Sequence, residues 1–483
     1  MLRPFSTTTA FVALLTPLLL VCPPGRAAYG QDRSVFWHSC AASGPSASER
    51  IASCSALIDS GRETPRNQSA ALTNRCAAHL ENHEYELAIA DCDKAIALDA
   101  SRSETFNNRG RAYQLTYEYD RAIDDFGHAI ALDPRSLDAF VGRGFAYLRK
   151  RKFDDAIRDF EAATRISPQN PHAYNDLGLA YESDGKHDQA IENLKKAISL
   201  DKGFASAIRD LGIAYEAKGL HEQAIDQFDR SIALAPRDAV GFNARGQSYQ
   251  AIHQYDRAIA DFTKAIELRP GGASGFLNRG TAYVDTGRFA DAIQDFDRAI
   301  DLDPSGSSAF VWRAVAFRDQ GLLDKAILDL TRAAEMDPGN ADTLARRGSA
   351  YLSAGNYPLA IQDLDRAIEL DPTAADAFNN RCEAKALDHA LVEALPDCDR
   401  AIELSPEAIH FDTRAFVHLQ AESFVSAIAD YDAALKRTPT LSKSLYGRGL
   451  AKRKVGDETG AKQDIDAAMK LDPAVATKFM RDP

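Results

Sequence analysis

Apolar residues along this chain recur at spacings of three and four, in short stretches that come in pairs. One stretch holds Phe106, Gly110 and Tyr113, and a second, after a polar turn, begins at Ala122. This spacing places the apolar residues on one face of a helix. The paired pattern recurs twelve times over residues 69–475 with a period of about 34 residues. A fixed period of this length predicts a stack of helical hairpins, not one closed globular domain.

Several positions of the 34-residue repeat hold one residue type in most copies. Position 20 is alanine in all twelve copies, position 27 is alanine in eleven, position 8 is glycine in eight, position 11 is tyrosine in seven and position 32 is proline in ten. Small residues allow two helix backbones to approach closely. Proline lacks a backbone N–H and therefore suits the end of the second helix. The pattern predicts an all-α fold with two short helices in each repeat.

This set of positions resembles the tetratricopeptide repeat family. The resemblance covers residues 69–475 and implies a right-handed α-solenoid of about twelve helix-turn-helix units. We expect residues 31–68 to form a disulfide-tied cap or a degenerate repeat, and residues 476–483 to form a C-terminal tail. The architecture resembles exported bacterial members of the family. One position departs from the family: its usual apolar residue at position 7 is arginine in ten copies.

The arginines at position 7 vary together with a second position. All ten copies with arginine at position 7 carry aspartate at position 23. The two copies with leucine instead, Leu177 and Leu211, carry Asn193 and Gln227 at position 23. Because the two charges appear and disappear together, we predict a bidentate ion pair between the two helices of one repeat. The alternative is an arginine ladder for anionic ligands, with which the matched acid would compete.

The cysteines also occur in pairs. In two repeats, positions 8 and 24 are both cysteine, and neither position is cysteine without the other. This predicts a disulfide within each of these repeats and a third one before the first repeat. The predicted disulfide cysteines are Cys40, Cys54, Cys76, Cys92, Cys382 and Cys398. Buried free thiols are the alternative, and a zinc site fits the spacing less well. Structural disulfides are typical of proteins outside the reducing cytosol.

The first 30 residues have the features of a secretory signal. Arg3 precedes an apolar run, residues 10–21, which is too short to span a bilayer. Ala28, Tyr29 and Gly30 then offer a small-x-small cleavage site. Together with the paired cysteines, this predicts an exported protein, periplasmic or secreted, of a bacterium. A buried helix and a lipoprotein signal ending at Cys22 remain alternatives. We expect no integral membrane segment after removal of the signal.

Charge and motifs exclude several classes of function. The formal net charge of −13 disfavours nucleic acid as a partner, because binding to it requires a basic surface. The one dense basic run, residues 149–152, falls in the predicted turn between the helices of one repeat. We find no phosphate-binding loop, metalloprotease motif or nucleophile elbow. The sequence therefore predicts no catalytic residues, no metal and no cofactor, and hence a protein that is not an enzyme.

The predicted binding surface follows from the family resemblance, which implies that positions 2, 5, 9 and 12 of the first helices line a concave face. These positions hold a mixture of amide, basic, aliphatic and aromatic side chains, and Trp312 lies beside them. Such a mixture suits an extended peptide or another protein. The candidate concave residues are Asn107, Arg111, Val141, Phe145, Leu148, Asn175, Arg209, Asn243, Gln247, Leu277, Val284, Val311, Trp312, Val315 and Asn379.

The sequence leaves three hypotheses for function. The first is a non-catalytic scaffold that binds protein or peptide partners on the concave face. The second is a structural subunit of a cell-envelope assembly, such as polysaccharide export or secretion machinery. The third, an enzyme or a subunit that regulates one, lacks any catalytic constellation in the sequence. For each apolar candidate the alternative role is packing against a neighbouring repeat.

Overall fold

The computed structural model describes residues 26–42 and 44–481, and all regular elements in these ranges are α-helices. Most of the predicted signal, residues 1–25, lies outside the described residues. The described chain falls into two compact units, which we call the N-terminal lobe (up to Lys218) and the C-terminal lobe (from Gly219). The predicted all-α solenoid of consecutive helical hairpins is confirmed within each lobe.

The N-terminal lobe contains a leading helix pair, four complete repeats and the first helix of the fifth repeat. Within each repeat the two helices are joined by a short turn, so they pack antiparallel. Its helices are α1 (Arg26–Ala41), α2 (Ala47–Asp59), α3 (Pro65–Glu81), α4 (Tyr85–Leu98), α5 (Ser103–Leu115), α6 (Tyr119–Leu132), α7 (Leu137–Arg149), α8 (Phe153–Ile166), α9 (Pro171–Ser183), α10 (His187–Leu200) and α11 (Ala205–Ala217).

The C-terminal lobe begins with the second helix of the fifth repeat and continues through the twelfth. Its helices are α12 (His221–Leu234), α13 (Ala239–Ala251), α14 (Tyr255–Leu268), α15 (Ala273–Asp285), α16 (Phe289–Leu302), α17 (Ser307–Asp319), α18 (Leu323–Met336), α19 (Ala341–Ser353), α20 (Tyr357–Leu370), α21 (Ala375–Leu387), α22 (Leu391–Leu404), α23 (Ala408–Gln420), α24 (Phe424–Arg437), α25 (Ser442–Lys454), α26 (Glu458–Leu471) and α27 (Val475–Arg481). The last of these, α27, lies in the segment that the repeat pattern leaves over as a tail, and it packs against α25 and α26.

A left-handed residue at position 15 ends the first helix of every repeat. Its φ lies between 55° and 90° in all twelve copies. The next residue then donates its N–H back to the carbonyl of position 11, as Glu118 does to Tyr113 at 2.8 Å. This closure is the usual way to end a helix with a left-handed residue. Glycine occupies the position in six copies, and a larger residue in the other six.

The linker after each second helix is short and is held by its own side chains. Asp133 accepts a hydrogen bond from the backbone N–H of Arg135 at 3.0 Å, and Asp303 and Asp371 make the same turn in later repeats. Only residues 405–407 separate α22 from α23, so the missing residue of the tenth repeat falls in this linker. Pro396 lies inside α22, which continues past it.

The hairpins that lie within one lobe pack around positions 8 and 24. A Cβ atom added to Gly246 would lie 2.6 Å from Cε1 of Phe262, whose ring is fully buried. Glycine at position 8 is therefore what allows an aromatic ring at position 24 to lie against the first helix. The two cysteine pairs of the repeats occupy these same two positions, so they replace a packing contact that other repeats make with glycine and an apolar side chain.

Most successive first helices contact one another within each lobe. In the N-terminal lobe α5 contacts α3 and α7, and in the C-terminal lobe α15 contacts α13 and α17. Among the described residues, successive second helices show no comparable contact. Because the first helices are closer together than the second helices, they form the inner side of each stack.

The leading helix pair is tied to the first repeat by a carboxylate. Glu63 lies just before α3, and its side chain is 2% exposed. It accepts hydrogen bonds from Nε of Arg33 at 2.7 Å, from Nδ2 of Asn67 at 2.9 Å and from the indole N–H of Trp37 at 3.3 Å. The Arg33 hydrogen bond is the main cause that lowers the pKa of Glu63 to about 2, and burial opposes it. The charged form of Glu63 therefore holds α1 against the start of α3.

We expect this contact to fail in acid. The pKa of Glu63 is depressed from 4.5 to about 2 in the folded state, so its contribution is present above pH 4.5 and is lost as the pH falls toward 2. Acid titration of Trp37 fluorescence, in a Trp312→Phe background, should show the loosening of the leading helix pair. In Glu63→Gln the contact is weaker at neutral pH, and this acid transition should disappear. An identical transition in both proteins would contradict the assignment.

Candidate protein-binding surface

The predicted ion pair between positions 7 and 23 forms in all ten repeats that carry both charges. In the second repeat, Arg109 donates from Nε to Oδ2 of Asp125 at 2.7 Å and from Nη2 to Oδ1 at 2.6 Å. The ten arginine side chains are 16–23% exposed and the ten aspartates 5–10%. The pairs are Arg75–Asp91, Arg109–Asp125, Arg143–Asp159, Arg245–Asp261, Arg279–Asp295, Arg313–Asp329, Arg347–Asp363, Arg381–Asp397, Arg414–Asp430 and Arg448–Asp464. The prediction is confirmed, and the arginines are engaged within the protein.

The same arginines also make a third contact that the sequence analysis missed. Nη1 of Arg245 donates to Asp229, at position 25 of the preceding repeat, at 2.5 Å. Five further arginines reach an aspartate at position 25 in this way: Arg109, Arg313, Arg381, Arg414 and Arg448. Each of these arginines therefore joins the two helices of its own repeat to the second helix before it. The aspartates at position 25 of the preceding repeats were the sequence feature from which this contact could have been predicted.

The leucine at position 7 of the fourth repeat lies beside an acid instead of forming an ion pair. Leu177 is buried against Phe160 and Ala180. The neighbouring Asp176 has its pKa raised to about 6, chiefly by burial and also by the charge of Asp210, while a hydrogen bond from Asn175 opposes the shift. In this repeat the polar groups lie at positions 5 and 6, where the sequence analysis expected only Asn175.

The apolar concave candidates are mostly half-buried. Val141, Phe145 and Leu148 pack on the core formed by Ala156, Ile157, Phe160, Leu177 and Ala180. Leu277, Val284 and Trp312 pack on the core around Phe296. Val311 packs on the core around Leu330, and Val315 is only 8% exposed. Part of each half-buried side chain remains available on the first helices, whereas Val315 contributes mainly to packing.

The polar concave candidates divide into buried and exposed residues. Asn107, Asn175 and Asn379, all at position 5, are at most 9% exposed, and among the described residues their Oδ1 atoms have no hydrogen-bond partner. Arg209 forms an ion pair with Asp210 at 3.0 Å. Asn243 accepts a hydrogen bond from Nδ2 of Asn278, on the next first helix, at 3.0 Å. The two exposed candidates are Arg111 and Gln247. The inner side thus combines amides, apolar groups and charged side chains.

A buried carboxylate near the C-terminal end was also missed by sequence reasoning. Asp412 occupies position 5 of the eleventh repeat and is 7% exposed. It accepts a hydrogen bond from the hydroxyl of Ser444, on the next first helix. Burial raises its pKa, and the Ser444 hydrogen bond and the Lys443 charge oppose that shift. Asp412 follows Phe411 just as asparagine follows phenylalanine at this position in other repeats, so the pattern does not distinguish it.

The structure brings the predicted cysteine pairs together. The Cα atoms lie 4.9 Å apart in Cys40–Cys54, 5.7 Å in Cys76–Cys92 and 5.4 Å in Cys382–Cys398, with the sulfurs at bonding distance. These Cα separations are typical of disulfides. The first pair joins α1 to α2, and the other two each join the helices of one repeat.

Two further structural features bear on function. In the described part of the chain, no group of three or more His, Cys, Asp or Glu residues is placed to hold a metal ion. No helix in the same residues is long and apolar enough to cross a membrane.

Comparison with known proteins finds one family. Models described as tetratricopeptide repeat match residues 243–307 and 277–341, and residues 171–204 and 341–374. A model described as TPR repeat matches residues 150–185. No curated protein matches the chain.

Three solved structures show how far the likeness to known folds extends. The APC/C hetero-tetramer Cut9–Hcn1 is 13% identical with a TM-score of 0.48, covering 89% of this chain and 98% of that one. Yeast Tom70 is 16% identical with a TM-score of 0.39, covering 86% and 100%. The MamA protein is 24% identical with a TM-score of 0.31, covering 35% and 92%.

Proposed function

Because this chain is a tetratricopeptide repeat protein, we propose that it is a non-catalytic scaffold that binds protein or peptide partners on the inner side of its helical stacks. One observation carries the proposal: most successive first helices contact one another and present a row of side chains at positions 5, 9 and 12, many of which are half-exposed. Gln247 on α13 and the half-buried Leu277 and Val284 on α15 belong to this row. A row of amide and apolar groups suits an extended segment of another protein.

The ten arginines at position 7 are not available to bind an anionic ligand, which leaves protein binding as the favoured role. Ten guanidinium groups lie between the helices, and each is bonded to the aspartate of its own repeat. An anionic ligand would have to displace that carboxylate, so these arginines stabilise the hairpins. With the arginines at position 7 excluded, the first helices offer partners their other exposed and half-exposed side chains.

The proposal is tested by photo-crosslinking at two matched positions. A photoreactive residue is placed at Gln247, exposed on α13, or at Lys264, 47% exposed on the adjoining second helix α14. In cells of the source organism we expect a crosslinked partner from position 247 and none from position 264. Partners captured only from position 264, or from neither position, would overturn binding on the first helices.

We further propose that the protein is exported to the periplasm or secreted. The apolar run near the N-terminus and the three cysteine pairs support this location. An exported scaffold also keeps open the second candidate function, a structural subunit of an envelope assembly. Cell fractionation separates the two: a scaffold is recovered mainly in the soluble fraction, whereas a structural subunit co-purifies in fixed ratio with envelope components.

A further inference from the structure

A groove in the N-terminal lobe is lined by two arginines and two tyrosines. It has a volume of about 380 Å³ and lies where α5 ends and meets the end of α7. Its lining residues are Arg111, Gln114, Leu115, Tyr117, Tyr119 and Arg149, and we call it the Arg111–Arg149 groove. A cavity of this size accommodates a few side chains of a peptide.

We propose that the Arg111–Arg149 groove binds an acidic segment of a partner protein, so that carboxylates of that segment meet the two guanidinium groups. This inference rests on the proposed scaffold function and names the chemistry of one partner. It adds a second determinant to the row of first helices, because Arg149, Tyr117 and Tyr119 lie outside positions 5, 9 and 12.

The first argument is charge. Arg111 and Arg149 are exposed, and within residues 26–42 and 44–481 neither forms an ion pair. Acids nearby are already engaged with other bases: Asp120 with Lys150, Glu118 with Arg121, and Glu81 with Arg50. No carboxylate lines the groove. Arg111 has only the more distant charge of Glu81, which is bonded to Arg50, so two exposed guanidiniums without an ion-pair partner favour a carboxylate ligand, which arginine binds in a bidentate manner.

The second argument is the backbone of Tyr117. It has φ of 65° and is 78% exposed, whereas six other repeats place glycine at the same position 15. The left-handed conformation costs any residue with a side chain more than it costs glycine. The ring packs edge-on against Tyr119, with centroids 6.3 Å apart. The same ring pair recurs as His83–Tyr85 and His253–Tyr255, so what distinguishes Tyr117 is that its exposed ring shares a groove with Arg111 and Arg149. An exposed tyrosine in such a place is a typical binding determinant.

The third argument separates a peptide from a nucleic acid. Leu115 contributes an apolar wall that is 46% exposed, next to the two tyrosines. A segment that mixes carboxylates with apolar side chains satisfies both parts of the groove. A long polyanion would gain the same two arginine contacts, but the net charge of −13 on the chain disfavours its approach.

The test is affinity selection from a random nonapeptide library by the full-length oxidised protein. We expect selected peptides to be enriched in Asp and Glu beside apolar residues, and we expect Arg111→Ala/Arg149→Ala to abolish that enrichment. The matched control is Arg158→Ala/Arg165→Ala, which removes two arginines that are each 69% exposed on α8. This control should leave the selection unchanged. Failure to select acidic peptides, or the same selection by the Arg111/Arg149 variant, would overturn the proposal.

Two further measurements use the best acidic peptide as the probe. Tyr117→Gly should weaken its binding at least tenfold while leaving the melting temperature the same or higher, because glycine suits the left-handed turn. If Tyr117→Gly bound the peptide as tightly as the unaltered protein, Tyr117 would not be part of the binding site. If a single-stranded oligonucleotide competed for the groove more strongly than the peptide, the proposal of a peptide ligand would be overturned. If crosslinking at position 247 still captures a partner while the groove variants have no effect, the groove inference fails and the scaffold proposal stands.

Discussion

Replacing Arg245 by alanine is expected to lower the free energy of unfolding by about 3–5 kcal/mol, because it leaves a buried carboxylate without its partner. Asp261 is 9% exposed and accepts two hydrogen bonds from Arg245, both at 2.7 Å. The same substitution also removes the contact to Asp229 in the preceding repeat. That third contact adds little, since Asp229 is 53% exposed and can be hydrated.

Urea unfolding followed by circular dichroism measures this loss. Arg298→Ala is the matched control, because Arg298 is 53% exposed and lies 3.9 Å from its nearest acid. It should change stability by less than about 1 kcal/mol. The double variant Arg245→Ala/Asp261→Ala should recover part of the stability, since it removes the unpaired charge. An Arg245→Ala protein as stable as the control would show that the pair is not a determinant of hairpin stability.

Removing the Cys382–Cys398 pair should have the second large effect. The bond would join residues 16 apart, and closing a loop of about 15 residues stabilises a protein by roughly 3 kcal/mol in the chain-entropy model. It lies in the tenth repeat, whose linker to the next repeat is one residue shorter than in the other repeats. Cys382→Ala/Cys398→Ala should therefore melt at a clearly lower temperature than the oxidised protein.

A swap to the residues of other repeats separates the crosslink from packing. Cys382→Gly/Cys398→Phe installs the combination that Gly246 and Phe262 make in the sixth repeat, which begins at Ala239. This variant should recover the packing part of the loss and not the crosslink part. Thiol counting on denatured, exported protein gives the direct check: none of the six cysteines should react. Six reactive thiols would contradict both the disulfides and the oxidising compartment.

The contacts that the sequence predicted well are those inside one hairpin. Arg75 and Asp91 are 16 residues apart, and so are Cys76 and Cys92, and the fixed turn between the two helices brings such positions together in every copy. The twelve repeats of one chain can be compared with one another. Two positions that depart from the common residue in the same copies are therefore predicted to be in contact. The end of each second helix was predicted from a local feature, the proline at position 32, whereas the left-handed residue at position 15 was found only in the structure.

Contacts between repeats were not predictable in this way. The hydrogen bond from Nη1 of Arg245 to Asp229 joins two repeats. The acceptor of this third bond differs between copies: it is an aspartate for Arg245, a threonine for Arg279 and a serine for Arg75. The burial of Asn107 and Asn379, and the packing of Phe479 on α27 against Tyr446 at 5.4 Å, depend on how neighbouring helices cross. The 34-residue period predicts that a neighbouring repeat is present, but it does not predict the angle at which the helices of the two repeats cross.

The sequence by itself determined the architecture, the register of each hairpin and the pairs of positions 7 with 23 and 8 with 24. Only the tertiary structure decided which first-helix side chains are exposed, where a third arginine contact joins neighbouring repeats, and that Arg111 and Arg149 share one groove with Tyr117. The physical reason is range. Intra-hairpin geometry follows from helix rise and turn length, which the 34-residue period fixes, whereas surface grooves arise where side chains of separate repeats meet, and those side chains differ from copy to copy.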